Sequence, residues 1–174
     1  MEEMKETAPA VSANRARSFA RRFALLGLYE WQVNPLNSPE ALARIVPSLI
    51  SQEDTESGDL TPEEFDVCDQ ELFETLLRDA INNREELEAV IASHLSRPFK
   101  QVSTVERAIL LLGAAELKFH PETAYLVVLD EMVELAKQFG SAEGGYKFVN
   151  GVLDKVARDL RPEETARGRR VARA

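Results

Sequence analysis

Apolar positions along the chain recur at helical spacing and nowhere alternate over a useful length, so the pattern predicts an all-α fold. The first predicted helix runs from Asn14, a candidate N-cap, to about Val33, with no Gly or Pro before Gly27. On a helical wheel Ala16, Phe19, Ala20, Phe23 and Ala24 share one half. Arg15, Arg17, Ser18, Arg21 and Arg22 share the other, which puts the arginines on the open face of an amphipathic helix. Beyond Ala24 the segment is apolar nearly all round (Leu25, Leu26, Leu28, Tyr29, Trp31), so its second half is expected to be buried. Ala20, Ala24 and Gly27 would let another helix approach closely.

The remaining elements follow from their start and stop signals. Ser38 caps a second helix, Pro39 to about Ser51, with proline at its first position. An acidic loop, QEDTESGDL, precedes Thr61-Pro62-Glu63-Glu64, which combines a cap, an N1 proline and acids at the positive helix end. A third helix runs from there to about Asn82, and a fourth spans Glu85 to Leu95. Ser103-Thr104-Val105-Glu106 reads as a capping box before the apolar run Ala108 to Leu117. His120-Pro121 stops that helix. The sixth runs from about Glu122 to Phe139 with Gly140 as its C-cap, and the last from about Tyr146 to Leu160. The expectation is therefore about seven helices. Residues 1–13 read as a disordered lead-in and 163–174 as a basic, disordered, solvated tail.

Composition narrows the class. The single cysteine among 174 residues rules out an internal disulfide framework, and with two histidines it cannot supply a four-ligand zinc site of Cys and His alone. The longest apolar stretch is about half the ~20 residues that a membrane span needs. Without an apolar signal core at the N-terminus, the cytoplasm is the expected compartment.

The formal net charge of −9 argues, taken alone, against a nucleic-acid partner. Its distribution changes that. Residues 14–22 carry four arginines and no acid, whereas residues 23–104 hold 16 acids and 5 bases. A phosphate responds to charge within roughly 8–10 Å, not to the chain total. A basic face on an acidic body can bind RNA and at the same time restrict where it lands.

Chemistry-bearing motifs are sparse. FGSAEGG follows a helix rather than a strand and lacks the Lys-Ser/Thr of a phosphate-binding loop. His94 and His120 read as surface or helix-end residues, and Cys68 as a buried structural thiol. The pairs Glu63-Glu64 and Glu85-Glu86 read as helix N-terminal charges. No enzyme, cofactor or metal is expected.

Two stretches carry a resemblance. RARSFARRFALLGLYEWQ (Arg15–Gln32) and the run from VERAILLLGAAEL through ELAKQFGSAEGGYKFVNGVLDK to Arg161-Pro162 are similar to the NusB family of transcription antitermination factors. The similarity spans about residues 14–162 and is weakest from 36 to 68. It implies two packed, mutually perpendicular three-helix-like bundles, with subdomains at about 14–83 and 84–162. It also implies a non-enzymatic protein that binds boxA RNA of ribosomal RNA operons. Its partner there would be NusE, a small-ribosomal-subunit protein, acting with NusA, NusG and RNA polymerase to suppress premature termination. Members occur as monomers and homodimers.

Carried over by position, the family's basic first-helix start falls on Arg15, Arg17, Arg21 and Arg22, whose forked donors suit phosphates. Tyr29 matches the family's tyrosine on the same helix. Lys147 suits a phosphate, and Phe148 suits either stacking on an unpaired base or the core. Glu143 and Gly144 lead into a helix N-terminus that favours an anion. Glu106 matches an acid near the partner side. Asn150-Gly151 alone reads as a turn, but the family places it inside the last helix, where the glycine would permit close packing. The chain departs from the pattern at Ser18 and Phe19, where base is common, and in the longer loop before KFVNG. Two alternatives remain open: an adaptor without intrinsic RNA affinity, and the NusB-like domain of an RNA methyltransferase. The latter expects catalytic cysteines in a following Rossmann-like domain.

Overall fold

The computed structural model describes residues 11–50, 60–140 and 143–172. Among them are nine α-helices and no strand: α1 (Ala13–Val33), α2 (Pro39–Ile50), α3 (Pro62–Val67), α4 (Gln70–Asn82), α5 (Arg84–Ala92), α6 (Thr104–Phe119), α7 (Tyr125–Phe139), α8 (Gly145–Leu160) and α9 (Pro162–Ala172). A 3-10 turn at Phe99–Gln101 joins α5 to α6. The all-α expectation holds. The acidic stretch 53–59 and residues 1–10 of the expected lead-in lie outside the described residues.

Several predicted caps are made. Ser38 Oγ accepts from the Ala41 amide at 3.1 Å, Thr61 Oγ1 from Glu64 at 3.1 Å, and Ser103 Oγ from Glu106 at 3.3 Å. Such caps each contribute about 1 kcal/mol by satisfying an amide that the helix cannot. The first cap falls two residues earlier than the predicted Asn14. Ser12 Oγ accepts from the Arg15 amide at 3.2 Å, so α1 already includes Ala13.

The extra helices have local causes. The predicted third helix is two, α3 and α4, broken where Cys68 takes an extended conformation. Asp69 then caps α4 through its carboxylate on the Leu72 amide at 3.0 Å, and its own amide donates to the Ala16 carbonyl at 3.0 Å. That last bond ties the break to α1. The expected disordered tail is instead α9, from Pro162 onward, held by polar anchors. Glu164 Oε1 accepts from the Tyr125 amide at 2.8 Å, and Thr165 Oγ1 donates to the Arg161 carbonyl at 2.9 Å.

Helices α1, α2 and α4 pack on one another, as do α6, α7 and α8; α1 and α4 both rest on α6. The core between the groups includes Phe23, Leu28, Leu76, Leu77, Ile109, Leu111 and Leu112, all essentially inaccessible to water. Burying each such side chain contributes about 1.5–3 kcal/mol. Gly27 is a point of close approach between α1 and α4, as the Ala/Gly side predicted: a Cβ there would stand 2.7 Å from Leu77 Cδ2. Asn150 and Gly151 lie inside α8, so the turn signal fails there. Packing is not the reason for that glycine, because a Cβ at Gly151 would meet nothing within 4 Å.

Candidate nucleic-acid interface

The four arginines of α1 do not form one face. Arg21 is buried, 2% exposed, and its guanidinium grips Glu116 of α6 through two bonds, Nε to Oε1 and Nη2 to Oε2, each 2.7 Å. Glu131 of α7 adds a carboxylate 3.8 Å from Nη1. Burial opposes the charge on Arg21, but Glu116 and Glu131 outweigh it and leave the pKa above the usual arginine value. The expectation that Arg21 meets phosphate is therefore corrected. A wheel shows what a helix presents, but here α6 supplies an acid that draws the residue inward. Arg17 is half-committed: Nη2 donates to Thr123 Oγ1 at 2.6 Å.

Arg15 and Arg22 remain on the outside. They bracket the ring of Phe19, at 5.2 and 5.5 Å from its centroid. Arg22 Nη1 lies 3.7 Å from Glu64 Oε2, beyond hydrogen-bond reach. Both side chains are only partly exposed, and Glu64 Oε2 is buried without a hydrogen bond, so an anion that reaches Arg22 competes with that carboxylate. One turn or two further on, Tyr29 is 40% exposed and borders a mostly apolar cleft of about 230 Å³ with Leu25, Leu26, Val105 and Phe139.

The α7–α8 corner supplies the second group. Gly144 is the N-cap of α8 with φ +78°, a left-handed conformation that glycine adopts without strain, and no side chain caps this end. Glu143 and Lys147 are exposed beside it. Lys147 Nζ sits 5.9 Å from the Tyr146 ring centroid, and Lys137 Nζ of α7 sits 5.1 Å from the same ring. Phe148 is half-buried against the core with Arg97 over its ring at 5.4 Å, so it belongs to a different side of α8 from that pair of lysines. Glu106 is 4% exposed and presents little surface to a partner, which corrects its expected role.

Sequence reasoning missed Glu116, Glu131, Lys137, Tyr146 and Arg161. Glu116 had a signal: an acid inside the apolar run from Ala108 to Leu117 must find a buried cation. Arg161 is 8% exposed and spans the C-terminal end of α6, donating to the carbonyls of Glu116 (3.2 Å), Leu117 (2.7 Å) and His120 (2.8 Å). It gives the Leu117 carbonyl a donor, adds a second donor to the Glu116 and His120 carbonyls, which already accept from the His120 and Thr123 amides, and complements the negative helix end.

His120 and Cys68 have structural roles. His120, at the C-cap of α6, is buried and places its two ring nitrogens 3.0 Å from Asp79 of α4 and Glu122. The Cys68 thiol is buried, as expected; burial, then Asp69 and Asp66, push it up to about 11, which makes it a poor nucleophile. Among the described residues no group of three or more His, Cys, Asp or Glu side chains could hold a metal ion, and no helix is long and apolar enough to cross a membrane.

An all-helical, two-bundle protein with accessible cations on α1 and at the α7–α8 corner is the class these features define. Its relatives give it a family. The NusB family pattern matches residues 18–158, and the chain belongs to that family. It is 43% identical over 159 residues to the transcription antitermination protein NusB of Aromatoleum aromaticum, covering 91% of this chain and 99% of the relative. The NusB of Laribacter hongkongensis is 43% identical over 148 residues, 85% of this chain and 81% of its own. These relatives are named as antitermination proteins, not as enzymes. Among solved structures, NusB of T. maritima shares the fold (TM-score 0.67, 23% identity, 90% of this chain and 98% of that one). A structure of antitermination factors NusB and NusE in complex with dsRNA also matches, with TM-score 0.66 and 30% identity over 83% of this chain and 98% of that one.

Proposed function

We propose that this chain is an RNA-binding transcription antitermination factor. It reads boxA RNA of ribosomal RNA operons together with NusE, and acts with NusA and NusG on RNA polymerase to suppress premature termination. The observation that carries this is the likeness, along nearly the whole of the matched chain, to a NusB solved with NusE and RNA. The geometry supports a contact through a few side chains. Arg15 and Arg22 offer forked donors to phosphates, Lys147 offers a point charge, and Tyr29 an exposed ring. Glu143 and Gly144 shape the approach to the uncapped start of α8, while Arg17 contributes only by releasing Thr123. Phe148 reaches a base only if Arg97 moves off its ring.

The test is a titration of boxA and scrambled RNA with and without NusE, at several salt concentrations. A preference for boxA that strengthens with NusE is expected. Equal binding of both RNAs in the presence of NusE would overturn the assignment. One observation favours a second reading: with Arg21 buried, Arg17 bonded to Thr123 and Arg22 paired with Glu64, most of the α1 arginines already have partners in the fold. An adaptor that binds NusE without RNA affinity would show as NusE capture that boxA does not strengthen. Gel filtration of the same samples separates monomer from homodimer.

A further inference from the structure

Lys137 sits in the last turn of α7, and Tyr146 and Lys147 in the first turn of α8. Both ammonium groups lie over the one tyrosine ring, at 5.1 and 5.9 Å from its centroid, and the ring itself is half-buried against the core. Lys137 also borders a cleft of about 430 Å³ between α1 and α7, which it shares with Ser18 and Arg22. Lys137 thus joins two features, the cleft it shares with Arg22 and the aromatic face it shares with Lys147. Nothing in the helical period of α7 marks Lys137, because the grouping exists only once α1 and α8 are packed beside it.

Two acids border the same cleft. Glu131 is already engaged, by Ser18 Oγ at 2.8 Å and by Arg21. Glu134 lies 3.6 Å from Lys137 Nζ, but its side chain is 73% exposed. An exposed pair of this kind contributes about 0–1 kcal/mol and yields readily to a stronger anion. Two ammonium groups around one ring repel each other, and each is stabilised by the negative ring face only weakly in water. A phosphodiester backbone relieves that repulsion by drawing the ammonium groups off the ring, as Arg97 would have to leave Phe148, and an unpaired base then covers the accessible part of the Tyr146 ring: cations around an aromatic platform are the arrangement that single-stranded nucleic acid fits.

We propose that Lys137 and Tyr146 extend the RNA site, with Lys137 taking a backbone phosphate between those held by Arg22 and Lys147, and Tyr146 supplying the face on which an unpaired base rests. This rests on the RNA-binding function proposed above and assigns it two further residues. It makes the RNA path cross from α1 over the end of α7 to the start of α8.

The experiment compares boxA RNA binding in the presence of NusE for the unsubstituted chain, Lys137→Gln, Lys137→Arg and Lys155→Gln. Lys155 is an exposed lysine further along α8 and serves as a charge-matched control. Lys137→Gln is expected to weaken binding several-fold and to lower the log–log salt slope by about 0.7, the value for one lost phosphate contact to a single strand. Lys137→Arg restores both, and Lys155→Gln changes neither. Because Lys137 is half-exposed, its glutamine variant should melt with the unsubstituted chain, which separates a binding loss from a folding loss. If the unsubstituted chain prefers boxA but Lys137→Gln matches Lys155→Gln in affinity and slope, the extension is wrong and the function stands. If the unsubstituted chain itself binds no RNA, both fall.

Discussion

Arg21 and Arg22 are neighbours in the chain and belong to different worlds. Arg21 enters the junction of α1, α6 and α7, where Glu116 takes it bidentately and water is excluded. Arg22 stays on the rim, over Phe19 and loosely facing Glu64. The junction is continued by Arg161, which closes the end of α6 and starts α9. The rim is continued by Arg15, Lys137 and Lys147. One residue type thus does two jobs, and burial decides which. A buried charge has to be paired, so it is spent on the fold; an exposed one keeps its donors free for a phosphate.

The comparison can be broken first at the junction, where the effect is largest. Arg21→Ala leaves Glu116 buried without its partner and is expected to cost about 3–5 kcal/mol in urea unfolding. Replacing both members, Arg21→Met with Glu116→Leu, should recover most of that loss, because an apolar pair of similar volume needs no compensation. A single alanine variant that unfolds like the parent would mean that the pair is not buried in solution. Arg161→Ala should be the next most damaging, about 2–3 kcal/mol, since a charged hydrogen-bond donor to several buried carbonyls is lost. Its signature is early loss of protection for the α9 amides in hydrogen exchange.

On the rim the expectation reverses. Arg15→Ala with Arg22→Ala should leave unfolding within about 1 kcal/mol of the parent. The same pair should weaken boxA binding and lower the salt slope by about 1.4, or 0.7 for each lost contact.

The smallest effect concerns Cys68. Its folded-state pKa is raised from 9.0 to about 11, so between those values the folded chain holds a proton that the unfolded chain has released. The thiol's contribution is fully present below pH 9 and is lost as pH rises through 11. Cys68→Ser should flatten that part of the stability profile, and native Cys68 should alkylate slowly at pH 8.

The division also explains how much could be read from the chain. Positions governed by their own helix were legible: the caps at Ser38, Thr61 and Ser103 and the close approach at Gly27. The expected burial of the second half of α1 holds only as far as Leu28, since Tyr29 and Val33 are exposed. Positions governed by another helix were not. Arg21 lies on the polar half of its own wheel, and only α6 reveals why it turns inward. The break at Cys68-Asp69 carries no Gly or Pro, and the Asp69 amide there is bonded to Ala16 on α1. The tail after Pro162 is polar enough to be solvated, yet Glu164 and Thr165 anchor it through bonds that no periodicity encodes. Lys137 and Tyr146 were missed for the same reason, since their grouping is tertiary. The family resemblance supplied the fold and placed Asn150-Gly151 in a helix, but carrying over its arginines as a set concealed that this chain uses them in two ways.

The central claim is that rim and junction arginines are separable, and one salt-series titration of boxA RNA with NusE tests it. The two variants to compare are Arg15→Ala/Arg22→Ala and Arg21→Met/Glu116→Leu. The account predicts that the first loses affinity and salt slope while the second keeps the parent's values. A second variant that loses the slope, beside a first that keeps it, would contradict the account.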